Sequence, residues 1–124
     1  MKIKGHEVKP GANLQGADLT GANLQCTDLR GADLQGTNLT GAKLEWAWLK
    51  GANLQGANLQ GVGLLNANLR DVNLKKANLQ GANLQGTDLK GADLQAAILS
   101  PDTIWKFSKE LSAVKNLDKV VLRV

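Results

Sequence analysis

The sequence predicts an all-β solenoid, a chain that turns a corner every five residues and stacks its coils around a leucine interior. Three observations predict it. Leucine stands at 14, 19, 24 and every fifth position to 99, eighteen times without a miss. Two places before each Leu sits a small residue, Ala at most positions, with Thr27, Thr37, Thr87, Val62 and Val72 as the variants. Two places after it stands, in most units, Gly.

A period of five suits neither ordinary element. On an α-helix five residues advance about 500°, so the leucines would wander over every side. On a straight strand an odd step sends alternate leucines to opposite faces. All of them share one side only if the backbone turns once per unit. Alternation then keeps each Leu and the small residue two places earlier inside, and leaves the other three positions outside. Gly at the corner tolerates a sharp turn because it lacks a Cβ. If each corner is about a right angle, four units close a square and residue n lies under residue n+20. Coils stacked at strand spacing would then give about four and a half turns and a rod about 22 Å tall. Neighbouring coils hold one another, as in other one-dimensional repeat arrays. Composition agrees, since Phe107 is the one Phe, Tyr is absent and there are three Trp, so the interior must be narrow.

The unit A(D/N)LxG, held in register over residues 11–100, resembles the pentapeptide-repeat family. The resemblance implies a right-handed quadrilateral β-helix of the kind common in cyanobacteria, and the handedness comes from the family alone. Most members have no established activity. Some mimic DNA and inhibit topoisomerases, a mechanism that wants an acidic rod and commonly a dimer.

The chain divides into an N-terminal cap segment (1–10), the repeat region (11–100) and a C-terminal cap and tail (101–124). Ile3 and Val8 are the cover available at the start, apart from Met1. At the far end, Ile104, Phe107, Leu111 and Val114 fall on one helical face. Ser100 or Asp102 is placed to cap a helix, with Pro101 near its first turn. This predicts an amphipathic capping helix over 102–114 with Trp105 at its margin. The run 119–124, KVVLRV, reads as a strand or a helix extension, and residues 102–124 as a candidate dimer contact.

The formal charge is +4. Residues 11–100 carry seven basic and seven acidic side chains, so the excess sits at the ends. Cys26 is the single cysteine, which excludes an intrachain disulfide and suits a reducing compartment. The opening residues have no apolar signal core, and no run is long enough to span a bilayer. The expectation is a cytoplasmic protein without membrane contact.

The n+20 rule turns the sequence into columns. Arg30, Lys50, Arg70 and Lys90 form one, each directly after a Leu, and no other column of that kind is all basic. Asp28 and Asp88 are expected to compensate the first and last of them, and Asp71 to neutralise Arg70. The plain reading is a solubilising face that discourages edge pairing; the functional one is an anion-binding stripe. The plain reading ranks first.

Trp46 and Trp48 break the pattern in "GAKLEWAWLK". Trp46 occupies a corner where Gly is usual, and Trp48 the outward position beside the basic ladder. Leu65 is one coil above Glu45 and is read as exposed. The three make an apolar spot bordered by Arg30, Lys50 and Arg70. They either shield an irregular corner, with a cation stacked on an indole, or anchor an interface, since Trp and Arg are enriched at binding hot spots. Gly63 and Asn66 make the same corner irregular over two layers, and Cys26 below Trp46 reads as a tolerated small residue.

No His, Cys or carboxylate cluster has metal-ligand spacing, and no phosphate loop is present. The Asn and Asp that precede the leucines are expected to bond the local backbone. A packed rod offers no substrate cavity, so no catalytic residue, metal or cofactor is expected. The leading function is a non-catalytic scaffold that binds an unidentified protein through the Trp corner, the basic face or both. The alternative is nucleic-acid or other polyanion binding by the ladder. The DNA-mimic topoisomerase inhibitor ranks below both, because this repeat region is neutral and the ends are basic.

Overall fold

A computed structural model of the 124-residue chain describes residues 1–104 and 111–124. From Asn13 to Asn78 the residue before each Leu forms a parallel bridge to the residue twenty later, so that Asn13 bridges Asp33, Asp33 bridges Asn53 and Asn53 bridges Asn73. Four such columns, beginning at Asn13, Asp18, Asn23 and Asp28, make the four faces of one coil. Each rung is a pair of backbone hydrogen bonds, as where Leu14 N donates to Asp33 O (2.7 Å) and Asp33 N to Ala12 O (2.9 Å). The straight runs are so short that the repeat region contributes only single bridges rather than extended strands until Ile98–Leu99.

All eighteen leucines of the repeat are buried, none more than 3% exposed. The small residues two places earlier are buried with them, including Val62, Val72 and the three threonines. The Thr hydroxyls meet backbone carbonyls, as Thr37 Oγ1 does at Leu34 O (2.9 Å), so no buried donor is stranded there.

At each corner the small residue's N–H donates back to the preceding Leu carbonyl, closing a four-residue turn. The third residue of that turn has positive φ whatever its identity: Gly16 at 65°, but also Cys26, Trp46, Asn66, Asp71, Lys76 and Ala96 at 57–63°. The corner is therefore imposed by the coil, and Gly is its unstrained occupant. Each Asn or Asp before a Leu accepts the backbone N–H two residues on, as Asn68 Oδ1 does from Arg70 N (3.0 Å) and Asp88 Oδ1 from Lys90 N (3.2 Å). These Asx turns fulfil the expected side-chain role.

At the N-terminus, β1 (Lys2–Ile3) and β2 (His6–Glu7) form an antiparallel hairpin. Its turn places Lys4 and Gly5 at positive φ. Val8 is buried against the first coil and Ile3 packs on the same core.

Of the capping helix expected over 102–114, residues 105–110 lie outside the described residues, and its described N-terminal end is not helical. Ile104 is extended and bridges Asn83, with Leu84 N donating to Ile104 O (2.7 Å). Thr103 takes an inward position and its hydroxyl donates to Leu79 O (2.8 Å). The helical character of the described tail is limited to two 3-10 turns, Leu111–Ala113 and Leu117–Lys119. Trp105 and Phe107 lie outside the described residues. Beyond them Lys115 bridges Asp93, and β4 (Val121–Leu122) pairs in parallel with β3 (Ile98–Leu99), which selects the strand alternative for this run. The offset grows from 20 at Asn78–Ile98 to 21 at Asn83–Ile104, 22 at Asp93–Lys115 and 23 at Ile98–Val121. The tail thus winds onto the rod with an extra residue at successive steps. The open ladder offers backbone partners, and the described residues of the tail take them. Val114 and Val120 pack on the core, while Leu122, over Leu99, is 71% exposed.

Candidate functional site

The basic column is assembled as the register requires. Gly31 N donates to Lys50 O, Gly51 N to Arg70 O and Asp71 N to Lys90 O (2.9–3.0 Å), so these residues succeed one another up one face. Their side chains do not behave alike. Arg30 is clamped by Asp28, with Nε 2.9 Å from Oδ1 and Nη2 2.6 Å from Oδ2. The bidentate bond from Arg30 holds the Asp28 carboxyl below its ordinary value, and the same contact raises the guanidinium's. Arg30 also stands over the Trp48 ring, 5.3 Å from its centroid, within cation–π range.

Arg70 is paired with Asp88 rather than with Asp71 or Asp28: Nε lies 3.1 Å from Asp88 Oδ2. This corrects two expectations, since Asp88 compensates Arg70 instead of Lys90, and Asp71 does not neutralise Arg70. The reason is a lean of the side chains along the rod. The residue after a Leu reaches the residue before the Leu of the next coil, eighteen positions on. Gln15–Asp33, Gln55–Asn73 and Lys75–Asp93 obey the same step. It is readable from the column map once the direction of lean is known, and the sequence alone does not supply that direction. By this step Lys50 faces Asn68, which carries no charge. Among the described residues, Lys50 and Lys90 have no ion pair.

Trp46 and Trp48 are 57% and 53% exposed. Both are outward, as their register demands. Trp46 is held at the corner with φ 63°, its N–H donating to Leu65 O (2.9 Å). Leu65 is half-buried, which corrects its reading as an exposed residue. The irregularity of this corner is concentrated. The positions before Leu that lack Asn or Asp are Lys43, Trp48, Gly63 and Ile98, and the first three adjoin it. At Gly63 the end of the Glu45 side chain leans into the space a Cβ would take, from the coil below. Cys26 is exposed at its corner.

Lys50, Arg70, Asp71 and Lys90 line an open notch of about 220 Å³. Sequence reasoning treated Asp71 as a counterion and missed this arrangement. Among the described residues, no group of three or more His, Cys, Asp or Glu could hold a metal ion, and no helix is long and apolar enough to cross a membrane.

Comparison with known proteins gives the chain its place. The pentapeptide-repeat family model matches residues 12–51, 37–75 and 73–100, in eight copies. Rfr23, a pentapeptide repeat protein from Cyanothece 51142, is 30% identical and superposes with a TM-score of 0.84 over 91% of this chain and 89% of its own. A pentapeptide repeat protein from Nostoc PCC 7120 is 33% identical, with a TM-score of 0.53 over 90% and 84%. One from the Arabidopsis thaliana thylakoid lumen is 29% identical, with a TM-score of 0.54 over 77% of this chain and 59% of its own. The comparison with curated proteins returned no match. These neighbours imply a right-handed quadrilateral β-helix, an architecture generally used as a non-catalytic scaffold. An unbroken register of buried leucines, turned corners and matching relatives together make this chain a member of the pentapeptide-repeat family.

Proposed function

We propose that the chain is a non-catalytic scaffold, cytoplasmic in location, that binds another protein through the corner formed by Trp46 and Trp48, with Leu65 one coil above and the basic face alongside. The observation that carries this reading is the exposure of two neighbouring indoles, Trp46 at 57% and Trp48 at 53%, with Arg30 stacked over the second. Exposed Trp beside Arg is the composition of an interface anchor. The positive φ of Trp46 is shared by other non-Gly corners, Cys26, Lys76 and Ala96 among them, and belongs to the coil.

The test replaces Trp46 and Trp48 with Asn and compares pull-downs from the native host. Loss of a specific partner at unchanged fold supports the reading. An unchanged set of partners removes it.

Polyanion binding along the whole ladder is the second reading, favoured by the stacking of four basic residues on one face. It is weakened by Asp28 and Asp88, which occupy two of them. It requires binding that falls steeply with salt. Topoisomerase inhibition by DNA mimicry stays lowest, because the face presented is basic, and inhibition of gyrase supercoiling is the result that would promote it. Self-association through residues 102–124 has its support in the exposed Leu122 and Val124.

A further inference from the structure

The notch lined by Lys50, Arg70, Asp71 and Lys90 has a composition that the ladder as a whole does not. We propose that it is a binding site for the inorganic hydrogen phosphate ion. The site is separate from the tryptophan corner and stands without the protein-binding reading.

Three features define it. First, the cations are unequal in freedom. Arg70 Nε lies 3.1 Å from Asp88 Oδ2, an ion-pair distance, and that nitrogen is buried without a hydrogen-bond partner. No hydrogen bond and no other ion pair engages the guanidinium among the described residues, so its outer nitrogens are unspent. Lys50 lies one coil below and Lys90 one coil above, each exposed and free of an ion pair among the described residues. Coil spacing is about 4.8 Å, so two flexible ammonium groups bracket one planar guanidinium. A single tetrahedral oxyanion accepting charge-assisted bonds of about 2.8 Å can meet all three.

Second, the anion is compact. Arg30, the remaining member of the ladder, is clamped by Asp28 and stacked on Trp48. The unspent positive charge is therefore gathered at one place instead of spread along the rod as a polyanion track would need.

Third, a carboxylate stands in the notch. Asp71 sits at a corner (φ 57°), with Oδ1 against the next corner, where a Cβ on Gly91 would be 2.1 Å away. Its carboxylate has no hydrogen bond or ion pair among the described residues. A carboxylate repels an oxyanion that can only accept hydrogen bonds. Sulfate is of that kind near neutral pH, and so is a phosphate monoester above its second pKa of about 6. Hydrogen phosphate keeps one O–H, which it can donate to Asp71 while its other oxygens accept from Lys50, Arg70 and Lys90. Asp71 thus acts as a selector between anions of similar size and charge.

The experiment titrates the full chain, at low ionic strength and pH 7.5, with inorganic phosphate, sulfate and glycerol phosphate, following backbone amide shifts. The expected result is a saturable phosphate curve with the largest shifts at residues 50, 70, 71 and 90. Phosphate should bind about tenfold more tightly than sulfate or glycerol phosphate, the worth of one hydrogen bond to a charged group. D71N should bring sulfate to within about twofold of phosphate, because an amide can donate to an acceptor-only anion. K50A combined with K90A should weaken phosphate by about tenfold or more. N68D, which keeps every lysine but gives Lys50 a carboxylate at the eighteen-residue step, should weaken it as well. The Trp46 and Trp48 double variant should bind phosphate as the parent does, whatever its effect on protein capture. Shifts that stay linear with concentration overturn the proposal. So does equal affinity for sulfate, or indifference to the lysine pair.

Discussion

Arg30 stands 5.3 Å above the Trp48 ring, and the eighteen-residue step between them is the step that joins Arg70 to Asp88. One step therefore relates three basic residues of this face to what they meet on the next coil. Arg30, already paired with Asp28, stacks on the indole eighteen residues on. Arg70 pairs with the carboxylate at that step, and Lys50, which meets Asn68 there, has no ion pair among the described residues. Trp48 thus occupies a position that on the next coil but one holds a counterion.

Trp46→Gly should stabilise the protein. Glycine adopts the corner conformation without strain, and more than half of Trp46 is already exposed. A gain of about 1 kcal/mol, against the entropy that glycine adds to the unfolded chain, is the upper expectation. Chemical denaturation measures it. A loss of stability would mean that the indole shields the coil, and would move Trp46 from the binding surface to the scaffold.

Gly91→Ala should cost more than an ordinary corner substitution. Its φ is 74°, and the added Cβ would sit 2.1 Å from Asp71 Oδ1. A cost of about 1–3 kcal/mol is expected from strain and steric shift together. In an Asp71→Gly background the same change should cost measurably less, which a double-mutant cycle reads directly. Additivity of the two changes would show that the aspartate moves aside freely.

Leu59→Ala, at a fully buried position, should destabilise by about 2–5 kcal/mol, the range for truncating a packed leucine. Leu14→Ala in the first coil should cost less, because only one side of it is covered by repeat coils. Equal losses in equilibrium denaturation would show that the hairpin of residues 1–8 packs as tightly as a coil.

Acid should weaken the fold through Asp28 and Asp33. Bonds from the side chains of Arg30 and Gln15, respectively, come first among the causes that hold their carboxyls below the ordinary value. A depressed folded pKa gives stability that is present above the unfolded value, near pH 4, and is lost as pH falls through the folded value. Thermal melts should therefore be flat from pH 8 to about 5 and fall below about 4. Asp28→Asn should lower the melting temperature at pH 7, and its curve should converge on the parent's in acid. Parallel curves at all pH values would deny Asp28 this role.

Much of this was legible in the residues because the repeat makes distant contacts periodic. The leucine spacing implies one turn per unit, and with right-angled corners the twenty-residue stack and the common face of Arg30, Lys50, Arg70 and Lys90. The Asx bonds and the turned corners are local and follow from the residue types at their positions. The outward placement of Trp46 and Trp48 follows from the same alternation. What the residues could not reveal is how side chains lean once stacked. Asp71 is the sequence neighbour of Arg70, yet Asp88, eighteen residues away, is its partner. Leu65 looked exposed in the column map and is half-buried in three dimensions.

The tail marks the same boundary. Ile104 and Val114 have helical spacing, and nothing in their own sequence opposes a helix there. The rod below them presents unpaired backbone at Asn83, Asp93 and Ile98, and the tail's described residues pair with it. The chain by itself determined the coil, because each unit repeats one local instruction and neighbouring units satisfy it. Only the tertiary structure decided the ion pairs, the notch at Asp71 and the path of the tail, because each depends on which hydrogen-bonding or charged surface an already assembled coil leaves open.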